Sequence, residues 1–174
     1  SVYANDYEKE LVELANTRIK EFLGQPLVVN AVKKQNEKNR SLSKFEIINL
    51  DKQWRAETKK KPTPLIDTGL HNELSKFLEK IKSESQGLYT EIFIMDDKGI
   101  NVGQSDITSD YWQGDEAKWK KTYKLGADAI HVGDVEMDDS TQQFQSQVSV
   151  ALVDPSSNKV IGAVTVGVNV DNLP

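Results

Sequence analysis

At 174 residues the chain is long enough to bury one sizeable core and short for two. With 27 acidic against 22 basic side chains its net charge is −5, which argues against a nucleic-acid or anionic-membrane partner, since phosphate binding needs a concentrated basic surface. It holds no cysteine, so disulfides, thiolate metal sites and cysteine nucleophiles are ruled out. No apolar run approaches the roughly 18 residues of a membrane-spanning helix.

Ser1-Val2-Tyr3-Ala4 ahead of Asn5-Asp6 places small or compact residues three apart and ends in Ala, which suits signal-peptidase cleavage after Ala4. An ordinary helix start would read the same way. The pattern points to a periplasmic or extracellular protein, with any membrane anchor outside these residues. Tyr7, Leu11, Leu14, Ala15, Ile19, Phe22 and Leu23 then recur at helical spacing behind Asp6 as a candidate N-cap. Gly24-Gln25-Pro26 interrupts the stripe, and Leu27, Val28, Ala31 and Val32 resume it. The spacing predicts one long kinked helix over 6–39, long enough to pair with a second copy as a homodimer.

A second helix is predicted over 43–57, with Phe45, Ile48 and Trp54 on its buried side. Residues 59–68, with Lys59-Lys60-Lys61 and two prolines, read as a solvated loop. A third helix is predicted over 71–85, with Leu74, Phe77, Leu78 and Ile81 on one face. The period then changes. Residues 89–95, 100–104, 130–137, 143–153 and 159–170 have strand character, joined in places by short Asp-, Gly- and Pro-containing turns. Short links imply antiparallel neighbours, so the fold class is α+β: about five antiparallel strands over 89–170 with the helices gathered before them, in one domain over 1–174.

The last two strands carry the functional argument. Phe144, Val148, Val150 and Leu152 fall on one face, as do Val160, Gly162, Val164, Val166, Val168 and Val170. Their opposite faces carry Gln143, Gln145, Gln147, Ser149 and Ala151, and Ile161, Ala163, Thr165, Gly167 and Asn169. One side is a wall for the long helix. The other is small and polar, either because it meets water or because it bounds a pocket. Tyr111, Asp115, Trp119 and Tyr123 are spaced by four, with Trp112 seven before Trp119, and on a helix ending at Gly126 they line one side. Singly such rings are core; as a cluster over a hydrophilic sheet face they read as a ligand cage. The candidate ligand-binding residues are Tyr111, Trp112, Asp115, Trp119, Tyr123, His131, Gln147, Ser149, Thr165 and Asn169.

Glu91-Ile92-Phe93-Ile94-Met95-Asp96-Asp97-Lys98-Gly99, then Gly103-Gln104-Ser105-Asp106-Ile107-Thr108-Ser109-Asp110-Tyr111-Trp112-Gln113-Gly114-Asp115-Glu116, then Val148-Ser149-Val150-Ala151-Leu152-Val153-Asp154-Pro155 with Lys159-Val160-Ile161-Gly162-Ala163-Val164 resemble the extracytoplasmic PAS-like sensor domains called PDC or single Cache domains. The resemblance implies a PAS-like sheet with the long helix on one face and a ligand pocket on the other. It also implies a sensing role in a chemoreceptor, histidine kinase or cyclic-dinucleotide enzyme, or in a secreted soluble protein, with a small metabolite such as a carboxylate or amino acid as ligand. Amino-acid-binding members place an aspartate on the last strand. Gly167 and Asn169 stand there instead, which argues against an amino-acid ligand. A carboxylate would need a cation, and only Lys118, Lys120, Lys121 and His131 are near in sequence. The rival readings are a solute-binding or interaction protein without a transmembrane partner, and an enzyme. His71 and His131 belong to no catalytic or metal motif, and Asp96-Asp97, Asp138-Asp139 and Asp154 suit turns rather than a calcium loop, so no catalytic residue, cofactor or metal is expected.

Overall fold

The apolar stripe of the N-terminal third folds as a helical run in pieces: α1 (Glu8–Leu14), a π-helical turn (Ala15–Ile19), α2 (Lys20–Leu23) and α3 (Pro26–Lys38). The computed structural model describes residues 5–139 and 141–174, so the expected cleavage point after Ala4 lies outside the described residues. The interruption after α2 is a break rather than a kink. Gln25 is extended (φ −65°, ψ 137°) and Pro26 opens a new helix at its first position, because proline pushes its predecessor out of the helical region and needs no donor at a helix start.

Helix α4 (Lys44–Glu57) begins on a reciprocal cap, Ser43 with Glu46. Its buried side is the expected one only at Trp54: Phe45 is 73% exposed and Ile48 36%, while Ile47, Asp51, Trp54 and Glu57 are buried. The helix turns inward the residues that make hydrogen bonds. Glu57 accepts from the Ile66 N–H, and Trp54 Nε1 donates to the Thr108 carbonyl. The stretch read as a loop contains a further helix, α5 (Pro64–Leu70), again with proline in its first turn. Helix α6 (Glu73–Glu84) starts two residues later than expected, because Asn72 caps it by accepting from Ser75 N–H.

The sheet comprises β1 (Tyr89–Met95), β2 (Asn101–Gln104), β3 (Ile130–Val132), β4 (Glu136–Asp138), β5 (Gln143–Asp154) and β6 (Lys159–Asn169). Its order is β2-β1-β6-β5-β3, with β4 also paired to β5 and every pairing antiparallel. The expected strand over 130–137 is thus split into β3 and β4, with Gly133 N–H bonded to the Gln147 carbonyl between them. The fold is α+β. Ile92, Ile94, Val148, Val150, Leu152, Val164, Val166 and Val168 join Leu11, Ile19, Val28, Val32, Leu74 and Leu78 from the helices in one buried cluster, each such side chain contributing about 1.5–3 kcal/mol of burial. Phe144 departs from this wall. It is 45% exposed opposite an equally exposed Met137, where β5 has run past the covering helices.

Candidate ligand-binding face

The register aligns a row of side chains across the sheet on the face away from the main helical cluster. Gln104 of β2 stands beside Phe93, Phe93 beside Thr165, Thr165 beside Ser149, and Ser149 beside His131. A parallel row holds Glu91, Gly167 and Gln147. The hydroxyls of Ser149 and Thr165 are fully buried and bond to each other at 2.8 Å. Gln147 Nε2 donates to Glu91 Oε1 at 2.8 Å. Asn169 is occupied in ending β6: its side chain accepts from Asp171 N–H at 3.1 Å, and its own N–H bonds to the Leu88 carbonyl. His131 is half-buried, and burial lowers its pKa below the ordinary histidine value, helped by the positive charge of Lys121.

The segment over this face does not form the expected helix through Tyr111, Asp115, Trp119 and Tyr123. Only α7 (Ala117–Lys120) is helical. Upstream of it the chain runs alongside the β1–β2 turn instead: Trp112 bridges to Ile100, Asn101 N–H bonds to the Tyr111 carbonyl, and Gln113 N–H bonds to the Gly99 carbonyl. Gly99 permits that approach. Its φ is +84°, and a Cβ there would sit 2.5 Å from Gly114 Cα. The rings therefore separate into two stacks. Trp54 and Tyr111 lie 5.0 Å apart at 19°, and Trp119 and Tyr123 lie 5.0 Å apart at 15°. Trp119 and Tyr123 pack on Phe93, Met95 and Ala163, and Trp119 Nε1 donates to the Asp96 carbonyl. Trp112 donates to the Lys98 carbonyl and lies under the Lys44 ammonium. Asp115 is exposed and joins neither stack.

What holds the roof comes from α4. Asp51 Oδ1 accepts from the N–H groups of both Tyr111 and Trp112, at 2.9 and 3.0 Å, and its other oxygen pairs with Arg55 at 2.8 Å. The spacing of Asp51, Trp54 and Arg55 on one helix was the available sequence signal for this role. Behind Tyr111 lies Asp96, fully buried, whose carboxylate accepts from Gln35 Nε2 and from the N–H groups of Lys98 and Ile100. Burial pushes the Tyr111 hydroxyl up to about 12, and the charge of Asp96 adds to it. Gln104 was also missed: it is 1% exposed, and both atoms of its amide lack a hydrogen-bond partner among the described residues. A separate groove of about 730 Å³ opens between α3, α5, α6 and β2, lined by Leu27, Ala31, Lys34, Leu74 and Val102, and it includes none of the candidate residues.

Among the described residues no group of three or more acidic or histidine side chains is placed to hold a metal, and no helix is long and apolar enough to cross a membrane. No protein-family model and no curated protein matches the sequence. Solved structures similar to it include the ligand-binding domain of the Campylobacter jejuni chemoreceptor Tlp3 in complex with 4-methylisoleucine, at 14% identity and a TM-score of 0.43, matching 96% of this chain and 61% of that one. The ligand-binding domain of the Pseudomonas aeruginosa amino-acid chemoreceptor PctC in complex with GABA matches at 13% identity and a TM-score of 0.45, over 89% and 62%. The sensor domain of the V. cholerae histidine kinase DctB matches at 13% identity and a TM-score of 0.40, over 94% and 57%. The chain therefore spans about three-fifths of the length of these neighbours.

Proposed function

We propose that the chain is an extracytoplasmic small-molecule sensing domain for signal transduction, a single domain and not an enzyme, which holds its ligand on the sheet face opposite the long helices. One observation carries the reading. The centre of that face buries the paired hydroxyls of Ser149 and Thr165, in a row beside Phe93, on which Trp119 and Tyr123 pack. A face meant only for packing gains from apolar residues there, as its reverse side demonstrates. Apolar walls with a few placed polar groups are the composition of small-molecule sites. The roof is tied down through hydrogen bonds that Asp51 accepts and Trp54 donates rather than through the main apolar cluster, which suits a segment that must respond to an occupant.

The test is a thermal-shift screen of small metabolites. A ligand at 100 times its dissociation constant stabilises the protein by about 2.7 kcal/mol. Tyr111→Ala and Trp119→Ala should each abolish the shift produced by a hit while retaining the wild-type far-ultraviolet circular dichroism. Unchanged binding in both variants would move the site elsewhere. Steady turnover of a metabolite that His131→Ala abolishes would replace sensing with catalysis.

A further inference from the structure

The charged side chains of α3 and the turn after it divide into two groups. Lys33 pairs with Asp154 at 3.1 Å and Glu37 with Arg40, while the amides of Gln35 and Asn36 donate to Asp96 and to the Ile161 carbonyl. Lys34 and Lys38 are exposed and make no ion pair among the described residues. These two stand four apart and share one side of the helix, which Leu27 and Ala31 continue toward its N-terminus. All four line the groove of about 730 Å³, together with Leu74 and Val102 from its other walls. Leu27 is 38% exposed although its neighbours Val28 and Val29 are buried, so the groove keeps a large apolar side chain out of the core. The groove is thus polarised along about 16 Å of helix, apolar at the Leu27 end and cationic at the Lys38 end. Negative charge enters its lining only at Glu73, at the start of α6.

We propose that this groove is a second binding site, for a free single-chain amphiphile with an anionic head, a medium-chain carboxylate. Its chain lies along Leu27, Ala31, Leu74 and Val102, and its head meets Lys34 and Lys38. The site goes beyond the sensing face and does not depend on it. The volume falls within the range of small-molecule sites, about 300–1,000 Å³. Each methylene removed from water favours binding by up to roughly fourfold, which the apolar half of the groove can supply. The other half selects the head. Like charges four apart on a helix repel, and an anion held between the two ammonium groups relieves that repulsion. A cationic head would add to it, and a purely apolar chain would cover both ammonium groups without a partner.

The experiment titrates decanoate, hexanoate, acetate and decyltrimethylammonium onto the whole chain by calorimetry, each below its micelle concentration. Decanoate should bind at least about tenfold more tightly than any of the other three. The double variant Lys34→Ala with Lys38→Ala should weaken decanoate at least about tenfold, and Leu27→Ser should narrow the gap between decanoate and hexanoate. All three positions are exposed, so the far-ultraviolet circular dichroism should not change. Lys34→Glu with Lys38→Glu should transfer the preference to decyltrimethylammonium, and Glu73→Gln should tighten decanoate. Acetate or decyltrimethylammonium binding the wild type as well as decanoate overturns the assignment, as does decanoate binding that survives the double lysine variants. Decanoate binding lost in Trp119→Ala but kept in those variants would move the acid to the sheet face and leave sensing there intact. A dimer in sedimentation that Leu27→Ser dissociates and decanoate does not would give the groove to a second copy. Binding to phosphatidylglycerol vesicles without binding to free decanoate would give it to a membrane surface. Absence of any decanoate binding would end the groove site and leave the sensing face untouched.

Discussion

The two faces of the sheet are made by the same strands, residue by alternate residue, and they answer to different rules. On the helical side Val148, Val150, Val164, Val166 and Val168 are closed into one apolar cluster with α1–α3 and α6. On the other side the row Gln104, Phe93, Thr165, Ser149 and His131 mixes hydroxyl, amide, imidazole and ring under segments tethered by hydrogen bonds. The first face draws its stability from area removed from water. The second draws its order from specific partners, and where none is found among the described residues, as at Gln104, it bears a cost that packing elsewhere must cover. On the reading proposed above, stability and recognition are thus separated by one sheet thickness.

The largest expected effect breaks the first face. Leu78 is fully buried in the helical cluster, and Leu78→Ala should lower the urea-unfolding free energy by about 2–5 kcal/mol. On the second face the effects are smaller and depend on pairing. Ser149→Ala alone leaves the buried Thr165 hydroxyl without its partner and should cost about 1–3 kcal/mol. Removing both hydroxyls with Ser149→Ala and Thr165→Val should recover most of that loss. A double variant as unstable as the sum of its singles would mean that the pair is bonded to something besides itself.

Between these faces lies the tether. Asp51→Ala removes the acceptor of the Tyr111 and Trp112 N–H groups and the partner of Arg55, with an expected cost of about 1–3 kcal/mol. Its signature should be local: the near-ultraviolet circular dichroism of the Trp54–Tyr111 stack lost, the far-ultraviolet helix and sheet signal kept. Global unfolding together with the stack would show that the roof is part of the core.

The first face was legible in the sequence because its signal is local. Period-two valines and a helical stripe of Leu, Ile and Phe need no knowledge of distant residues. The breaks were less so. Pro64 looked like a loop residue and is a helix start, and of Phe45, Ile48 and Trp54, the expected buried side of α4, only Trp54 is buried, with Ile47 and Asp51 turned inward beside it. The second face depends on encounters over long separations. Trp54 reaches the Thr108 carbonyl and stacks on Tyr111, and no periodicity within either segment announces it. The four-residue spacing of Tyr111, Asp115, Trp119 and Tyr123 did suggest a helix, but bonding of the 111–113 backbone to the β1–β2 turn overrode it. Gln104 is the extreme case: in sequence it is a polar residue at a strand end, and only its buried, unpaired amide distinguishes it.

The smallest expected effect uses pH to address the two sides in turn. His131, on the face away from the helical cluster, has its pKa lowered by burial and then by Lys121, so the unfolded chain takes up its proton more readily than the fold does. Its contribution is present above the ordinary histidine range and is lost as pH falls from about 6.5 through the lower folded value. Asp154, at the β5–β6 turn and ion-paired with Lys33 of α3 at 3.1 Å, also has its pKa lowered, but by partners that favour its charged form. The Ser156 N–H, Lys33 and the Ser156 hydroxyl hold its carboxylate at about 2, so its stabilisation is present above the ordinary aspartate range and lost only as pH falls toward about 2. The melting temperature of His131→Gln should therefore fall less than that of the wild type between pH 7 and pH 5, while Asp154→Asn should show its difference by flattening the loss between pH 4 and pH 2. Should both substitutions act in the same window, the two faces would titrate as one unit and their separation would fail.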